Sequence, residues 1–180
     1  MKYRLTDETK EWFGRTLHRI EALKSFGDMS AGEKGGWIEK EENLSQEGSC
    51  WVSGDARVCG DALVSDNAQV YGNAQVSGDA WVYGDARVYG NAQVCGDARV
   101  YDDAQVKSVE DIFCIAGLGS RYGTTTIYRN DGGITVVCGC FLGTLEEFEA
   151  KVKETHGDNL YGREYLKLIE LAKLHFEVEG

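Results

Sequence analysis

From Val52 onward the chain repeats an apolar pattern every six residues: VSGDAR VCGDAL VSDNAQ VYGNAQ VSGDAW VYGDAR VYGNAQ VCGDAR VYDDAQ, then Val106. These nine units, residues 52–105, share the form V-x-G-[DN]-A-x, with Asp66 and Asp102 in the glycine place of two of them. Valine at the first place and alanine at the fifth are the invariably apolar positions, so they line a narrow interior. The pair between them turns the chain, because Gly, Asn and Asp tolerate the backbone angles of a corner. Each unit is then one flat side and one corner. Three sides close a coil of about eighteen residues, and coils stack at about 4.8 Å. Two degenerate units, marked by Leu44 and by Gly48 with Cys50, extend three coils toward a fourth. An amphipathic helix fails here, since the period is six and each interior glycine would cost a helix about 1 kcal/mol. The pattern predicts a parallel β-helix over residues 38–107, with sheet edges only at its two ends.

Stacking places residues eighteen apart in columns. Asp61, Asp79 and Asp97 form one corner column, Asp55, Asn73 and Asn91 a second, and Asn67, Asp85 and Asp103 a third. These acids and amides suit a corner and are read as turn chemistry rather than a cation site. On the flat sides Tyr71 lies over Tyr89, Tyr83 over Tyr101, and Leu63, Trp81 and Arg99 share a file. The aromatic files, with Trp81, are the expected subunit interface, because exposed aromatic stripes on a rigid rod are costly to leave wet. Cys59 and Cys95 share a column with Ser77 between them, two coils apart and beyond disulfide reach.

The flanks follow other patterns. Residues 1–37 read as an N-terminal cap: Met1–Leu5 and Thr16–Leu23 as short strands, or a strand and a helical turn, with Thr6–Arg15 a loop between them. Residues 108–180 read as a C-terminal α+β module. Ile112–Ile115 is a strand. Thr124–Arg129 and Ile134–Cys140 are a hairpin joined by Asn130-Asp131-Gly132-Gly133. Ile134, Val136, Cys138 and Cys140 alternate onto one face. Thr144 and Glu147 form a capping box that opens a helix, and Gly157 ends it. A second helix runs from about Tyr161 to Phe176, with Tyr165, Leu168, Ile169, Ala172 and Phe176 inward.

Composition narrows the function. Twenty-three Gly without a Pro fit a glycine-cornered repeat, and 42% apolar residues can fill a core. A net charge of −11 disfavours direct nucleic-acid binding and suits contact with a basic protein surface, or plain solubility. There is no run of about twenty apolar residues for a membrane span, and no apolar h-region follows Lys2 and Arg4. A cytoplasmic chain with reduced cysteines is expected.

The most chemical segment is Gly119-Ser120-Arg121-Tyr122-Gly123-Thr124-Thr125-Thr126. A guanidinium among hydroxyls on a glycine-flanked loop suits a phosphate or carboxylate. No G-K-[ST] follows, so it is not a P-loop. The helix start at Thr144 offers free amides to the same anion. Ser120, Arg121, Thr124, Thr125, Thr126 and Thr144 are therefore the expected ligand-binding set. Cys138-Gly-Cys140 with Cys114 and His156 lacks the C-x-x-C spacing of a zinc site. It is read as ordinary thiols, with no metal and no cofactor. His156 is the one histidine placed to partner a cysteine nucleophile, and His18 and His175 are read as structural or solvent-facing.

The lead-in GGWIEKEENLSQEG, the tandem VYGNAQ and VYGDAR units, and the tail GSRYGTTTIY…CGCFLGTLEEFEAKVKETHGDN resemble the YdcK-like hexapeptide-repeat proteins of phage and prophage type. Those proteins are often labelled transferases or polymer-forming cytoskeletal proteins. The resemblance implies a left-handed coil. It also implies a homo-oligomer, a trimer by analogy with hexapeptide acyltransferases, and a host cytoplasm if the chain is phage-encoded. In those enzymes a histidine near the repeats acts as base, whereas all three histidines here lie in the flanks. The reading is a non-catalytic interaction or sequestering protein with no catalytic residues. It would inhibit a host defence factor by holding a protein or a nucleotide-like anion. The alternatives are an acyltransferase-like enzyme and an end-to-end polymer, which the flanks should block.

Overall fold

In a computed structural model, residues 1–177 are described. The repeat's valines and alanines form the interior: all of them from Val52 to Val106 are at most 1% exposed. Ten two-residue strands, β4–β13, recur at every sixth residue: Trp51–Val52, Arg57–Val58, Leu63–Val64, Gln69–Val70, Gln75–Val76, Trp81–Val82, Arg87–Val88, Gln93–Val94, Arg99–Val100 and Gln105–Val106. They stack in parallel as three faces, β5-β8-β11, β4-β7-β10-β13 and β6-β9-β12. Leu44 bridges to Val64 at the start of the third face. The chain is thus mainly β, a solenoid of about four turns.

The corners run as the repeat requires. Gly78 has φ +72°, and a Cβ there would stand 2.9 Å from the Gly96 nitrogen in the next coil. The corner therefore needs glycine twice over, for its angle and for the close stack. Gly78→Val is expected to cost about 2–3 kcal/mol from left-handed strain and forced separation. An unchanged urea midpoint would refute this. Asp66 and Asp102 hold the same place with φ +56° each, as a short polar side chain permits. Side-chain bonds also run up a corner: Ser49 to Asn67 at 2.9 Å and Asn67 to Asp85 at 3.1 Å.

Outside the strand pairs, N–H groups donate to the coil that follows, as from Trp81 to the Ala98 carbonyl at 2.9 Å and from Tyr83 to that of Val100 at 3.0 Å. Such a stack presents mainly carbonyls at its start and mainly N–H groups at its finish, and both must be satisfied. At the start the partners are donors. The Tyr3 hydroxyl donates to the Leu44 carbonyl at 2.7 Å, and the Lys2 ammonium donates to the Cys50 carbonyl at 2.9 Å and that of Glu47 at 3.1 Å. At the finish they are acceptors. The Thr126 hydroxyl accepts from the Arg99 N–H at 3.1 Å, and the Tyr128 oxygen accepts from the Tyr101 N–H at 3.4 Å.

An antiparallel hairpin, β1 (Tyr3–Trp12) and β2 (Arg15–Ala22), carries the first of these caps. β2 pairs with β3 (Lys34–Ile38), which continues in parallel onto β5. The expected loop over Thr6–Arg15 is mostly strand. Phe13 and Gly14, with φ +46° and +76°, make a tight turn that lets both strands run on. An aromatic residue in the first of those places carries no turn signal.

The C-terminal sheet is an antiparallel meander of β14 (Ile112–Leu118), β15 (Gly123–Asn130), β16 (Gly133–Cys138) and β17 (Phe141–Thr144). β15 has two buried faces. Tyr128 packs with the solenoid interior, and Ile127 with the helices α1 (Leu145–His156) and α2 (Leu160–His175). The capping box at Thr144 and Glu147 forms, and Gly157 ends α1. All five residues expected inward on the second helix are buried. Two details differ from expectation: β16 stops at Cys138, leaving Cys140 exposed in a turn, and β17 follows. Gly139 has φ +59° and reverses the chain there. Between the helices Lys153 and Lys173 bind the Glu149 carboxylate, at 2.5 and 2.8 Å, and hold its pKa down at about 2.

Candidate functional site

A cleft of about 800 Å³ opens where the last coil, the β14–β15 loop, the β16–β17 turn and α1 meet. Its charged lining comes from three elements: Arg99 of the rod, Arg121 of the loop and Lys151 of α1, with Asp97 as the acid. Ser120, Thr124, Thr126 and Thr155 supply hydroxyls. Lys151 is already paired with Glu154 at 2.8 Å. Neither arginine has an ion-pair partner among the described residues. Arg99 instead lies over the Trp81 ring, 5.4 Å from its centroid. The Thr124 hydroxyl donates to Asp97 at 3.3 Å, which draws the rod's one cleft-facing carboxylate away toward the strand.

The loop bearing Arg121 is pinned at its root. The Gly119 N–H donates to Glu164 at 3.1 Å, and a Cβ on Gly119 would stand 2.0 Å from the Tyr165 hydroxyl. Tyr165 is thus seated against bare backbone. Burial first, and then its bond to Cys138, push its phenol well above the ordinary tyrosine range. At the loop's tip Tyr122 is 71% exposed and held at φ +49°. Deeper in, the Thr125 hydroxyl donates to the Cys138 sulfur at 3.1 Å, and Cys138 lies 3.7 Å from the Tyr165 oxygen. The His156 ring stacks on Tyr165 with centroids 5.7 Å apart.

Of the six expected ligand residues, Ser120, Arg121, Thr124 and Thr126 line this cleft. Thr126 faces it with an oxygen already accepting from the rod. Thr125 does not line it and is buried against Cys138. Thr144 lies elsewhere, on a smaller cleft of about 460 Å³ beside Asp102, Asp103, Glu146 and Glu147. Its amide already donates to Glu147 at 2.8 Å. Four carboxylates and an occupied amide make that helix start unsuited to an anion, so the grip expected from Arg121 and Thr144 together does not form. Arg99, Lys151 and Thr155 also line the cleft, and no sequence signal marks them. Their sequence distance from Arg121 hides them, and only the rod's end brings them together.

Cys138, Cys140 and His156 share the cleft, but Cys114 is not part of its lining. Its sulfur lies 3.9 Å from the Thr126 hydroxyl, and burial raises its pKa. His18 reaches the Thr6 carbonyl at 3.3 Å and His175 that of Glu110 at 3.0 Å. The aromatic files stack within the chain: Tyr71 on Tyr89 at 5.0 Å and Tyr83 on Tyr101 at 4.6 Å, while Trp81 is 46% exposed beside them. Among the described residues no helix is long and apolar enough to cross a membrane.

Fold and cleft together define a capped β-solenoid that carries an α+β module on its last coil. A family model described as "YdcK Beta solenoid repeat" matches residues 56–72, 68–84 and 92–108, so the rod is built of YdcK-type repeats. Over 59 residues the chain is 39% identical to the protein named "Uncharacterized acetyltransferase YdcK" of Escherichia coli (strain K12). That match covers 28% of this chain and 18% of the relative, so the chain spans under a fifth of the curated protein it resembles.

Proposed function

We propose that this chain is a non-catalytic binding protein whose C-terminal cleft sequesters a small anion of phosphate or carboxylate type, nucleotides included. The observation that carries this reading is that Arg99 and Arg121 face one cleft without carboxylate partners among the described residues, in a chain of net charge −11. Two unpaired guanidiniums in an otherwise acidic molecule concentrate the positive potential at one place. The rod supports the same reading because it fixes Arg99 on a stacked strand, so little freedom is lost on binding. Calorimetry against ATP, inorganic phosphate, citrate and acetyl-CoA tests it. Arg121→Ala is expected to weaken the best binder at least tenfold, about 1.4 kcal/mol. If none of the four binds, or Arg121→Ala binds equally well, the proposal fails.

An acetyltransferase is the second reading, favoured by the name of the Escherichia coli relative and by His156 and Cys138 in the same cleft. Incubation with acetyl-CoA and a panel of amines would reveal it as acetylated product, lost in His156→Ala. Binding of acetyl-CoA without product leaves the first reading standing.

A further inference from the structure

On the far side of α2 lies a second, apolar hollow of about 560 Å³, floored by Ile115, Leu118 and Leu168. None of its lining residues lines the anion cleft. β14 beside it is the terminal strand of its sheet. The outer face of α2 carries Leu160, Leu171 and Leu174, which are 58%, 46% and 77% exposed. Three such leucines on one short helix are expensive to leave in water.

Their spacing identifies what covers them. Leu160, Glu164, Lys167, Leu171 and Leu174 fall at intervals of four, three, four and three, the spacing of a coiled-coil seam. This seam is separate from the inward stripe of Tyr165, Leu168, Ile169 and Ala172. Its two charged positions lie between its leucines and are opposite in sign. If two such helices meet side by side in parallel, Glu164 faces Glu164 and Lys167 faces Lys167. If they meet antiparallel about a point between residues 165 and 166, Leu160 faces Leu171 and Glu164 faces Lys167, each twice. The order of charges therefore selects a self-pairing, and one that is antiparallel. Hollow and protruding leucines on one face are also what a two-fold contact requires, since each copy must offer both. Among the described residues Lys167 is engaged only by Glu170, at 2.7 Å in an exposed pair that is easily exchanged.

We infer that α2 is a dimerisation helix that docks antiparallel on α2 of a second copy, through Leu160, Glu164, Lys167 and Leu171. This contact is separate from the solenoid's aromatic files, and it touches the anion cleft only through Glu164, one of whose oxygens accepts from the Gly119 N–H at the root of the Arg121 loop.

Native mass spectrometry and sedimentation equilibrium on the full chain test it. The expected state is a dimer. Leu171→Asp is expected to give monomer across the same concentration series with an unchanged circular dichroism spectrum. Lys167→Glu, which sets two carboxylates face to face, should raise the dimer Kd at least tenfold. The register is tested in a background with Cys95, Cys114 and Cys140 replaced by serine. Chains with Leu160→Cys should cross-link to chains with Leu171→Cys on mild oxidation, and neither should cross-link to itself. Three results would overturn the inference: a monomeric wild type, an assembly that survives Leu171→Asp but is dissolved by Trp81→Ser, or self-cross-linking of Leu160→Cys alone. Anion binding measured on Leu171→Asp should equal that of wild type, so failure here is separable from failure at the cleft.

Discussion

Val82→Asp is expected to unfold the solenoid. Val82 is fully buried, between Val64 on the coil before it and Val100 on the coil after, and its other interior neighbours are alanines and valines of the repeat. Among the described residues no buried polar side chain belongs to the coil of Val82 or to the two coils beside it, save Arg57 on an earlier rung, and the interior is too slim for water to follow a carboxylate in. A buried charge without a partner belongs to the rare class of substitutions costing more than about 4 kcal/mol. A domain of this size holds only about 5–15 kcal/mol in reserve. The damage should also spread, because each coil is held chiefly by its two neighbours. Urea unfolding followed by circular dichroism should show either no folded baseline or a midpoint displaced by that amount. Arg87→Ser, on the outward side of the same rung type, should stay within about 0.5 kcal/mol. A loss under 1 kcal/mol in Val82→Asp would mean that the interior does not lie between these valines.

That interior was open to reading from the sequence because one rule is stated nine times over. A single valine-alanine pair four residues apart would mean little, but nine such pairs repeating every six residues leave only a stacked coil. The same repetition gave the columns, and Tyr71 on Tyr89 and Tyr83 on Tyr101 follow from it by arithmetic. The capping box at Thr144 and the Asp131-Gly132 hairpin turn were legible for another reason: their signals are local, within four residues. The β1–β2 hairpin was not, since its turn is made by Phe13 in a left-handed conformation and no turn-forming pair marks it.

The cleft was legible in part for the same physical reason. Ser120, Arg121 and Thr124 announce themselves on one glycine-flanked loop. Arg99 is a repeat residue indistinguishable in sequence from Arg87, and only its place on the last coil sets it apart. Thr126 shows the converse. Its hydroxyl looks free for a ligand in sequence, yet the rod's terminal Arg99 N–H takes it. Which end of the stack needs donors and which needs acceptors follows from the direction of the interstrand hydrogen bonds. That direction is not written in any residue, so Lys2, Tyr3, Thr126 and Tyr128 carried no sequence signal as caps.

The terminal caps should therefore be sensitive to chemistry as well as size, and Tyr128 offers the clearest case. Its side chain is 1% exposed and plugs the open last coil, with its oxygen accepting from the Tyr101 N–H and donating to the Tyr101 carbonyl at 3.1 Å. Burial accordingly pushes its phenol well above the ordinary tyrosine range. Tyr128→Phe keeps the plug but bares both backbone groups of Tyr101, and is expected to cost about 1–3 kcal/mol. Tyr128→Ala removes the plug as well and should cost about 3–5 kcal/mol, the usual range for truncating a buried aromatic ring. Hydrogen exchange separates the two effects by place. In Tyr128→Phe the added exchange should begin at Tyr101 and fade toward earlier coils, because the lost partner is local to the rod's end. In Tyr128→Ala it should extend into β15 as well, since the strand loses its anchor in the solenoid. Equal stability of Tyr128→Phe and wild type would mean that water satisfies the last coil unaided, and the strand above it would then be packing without capping.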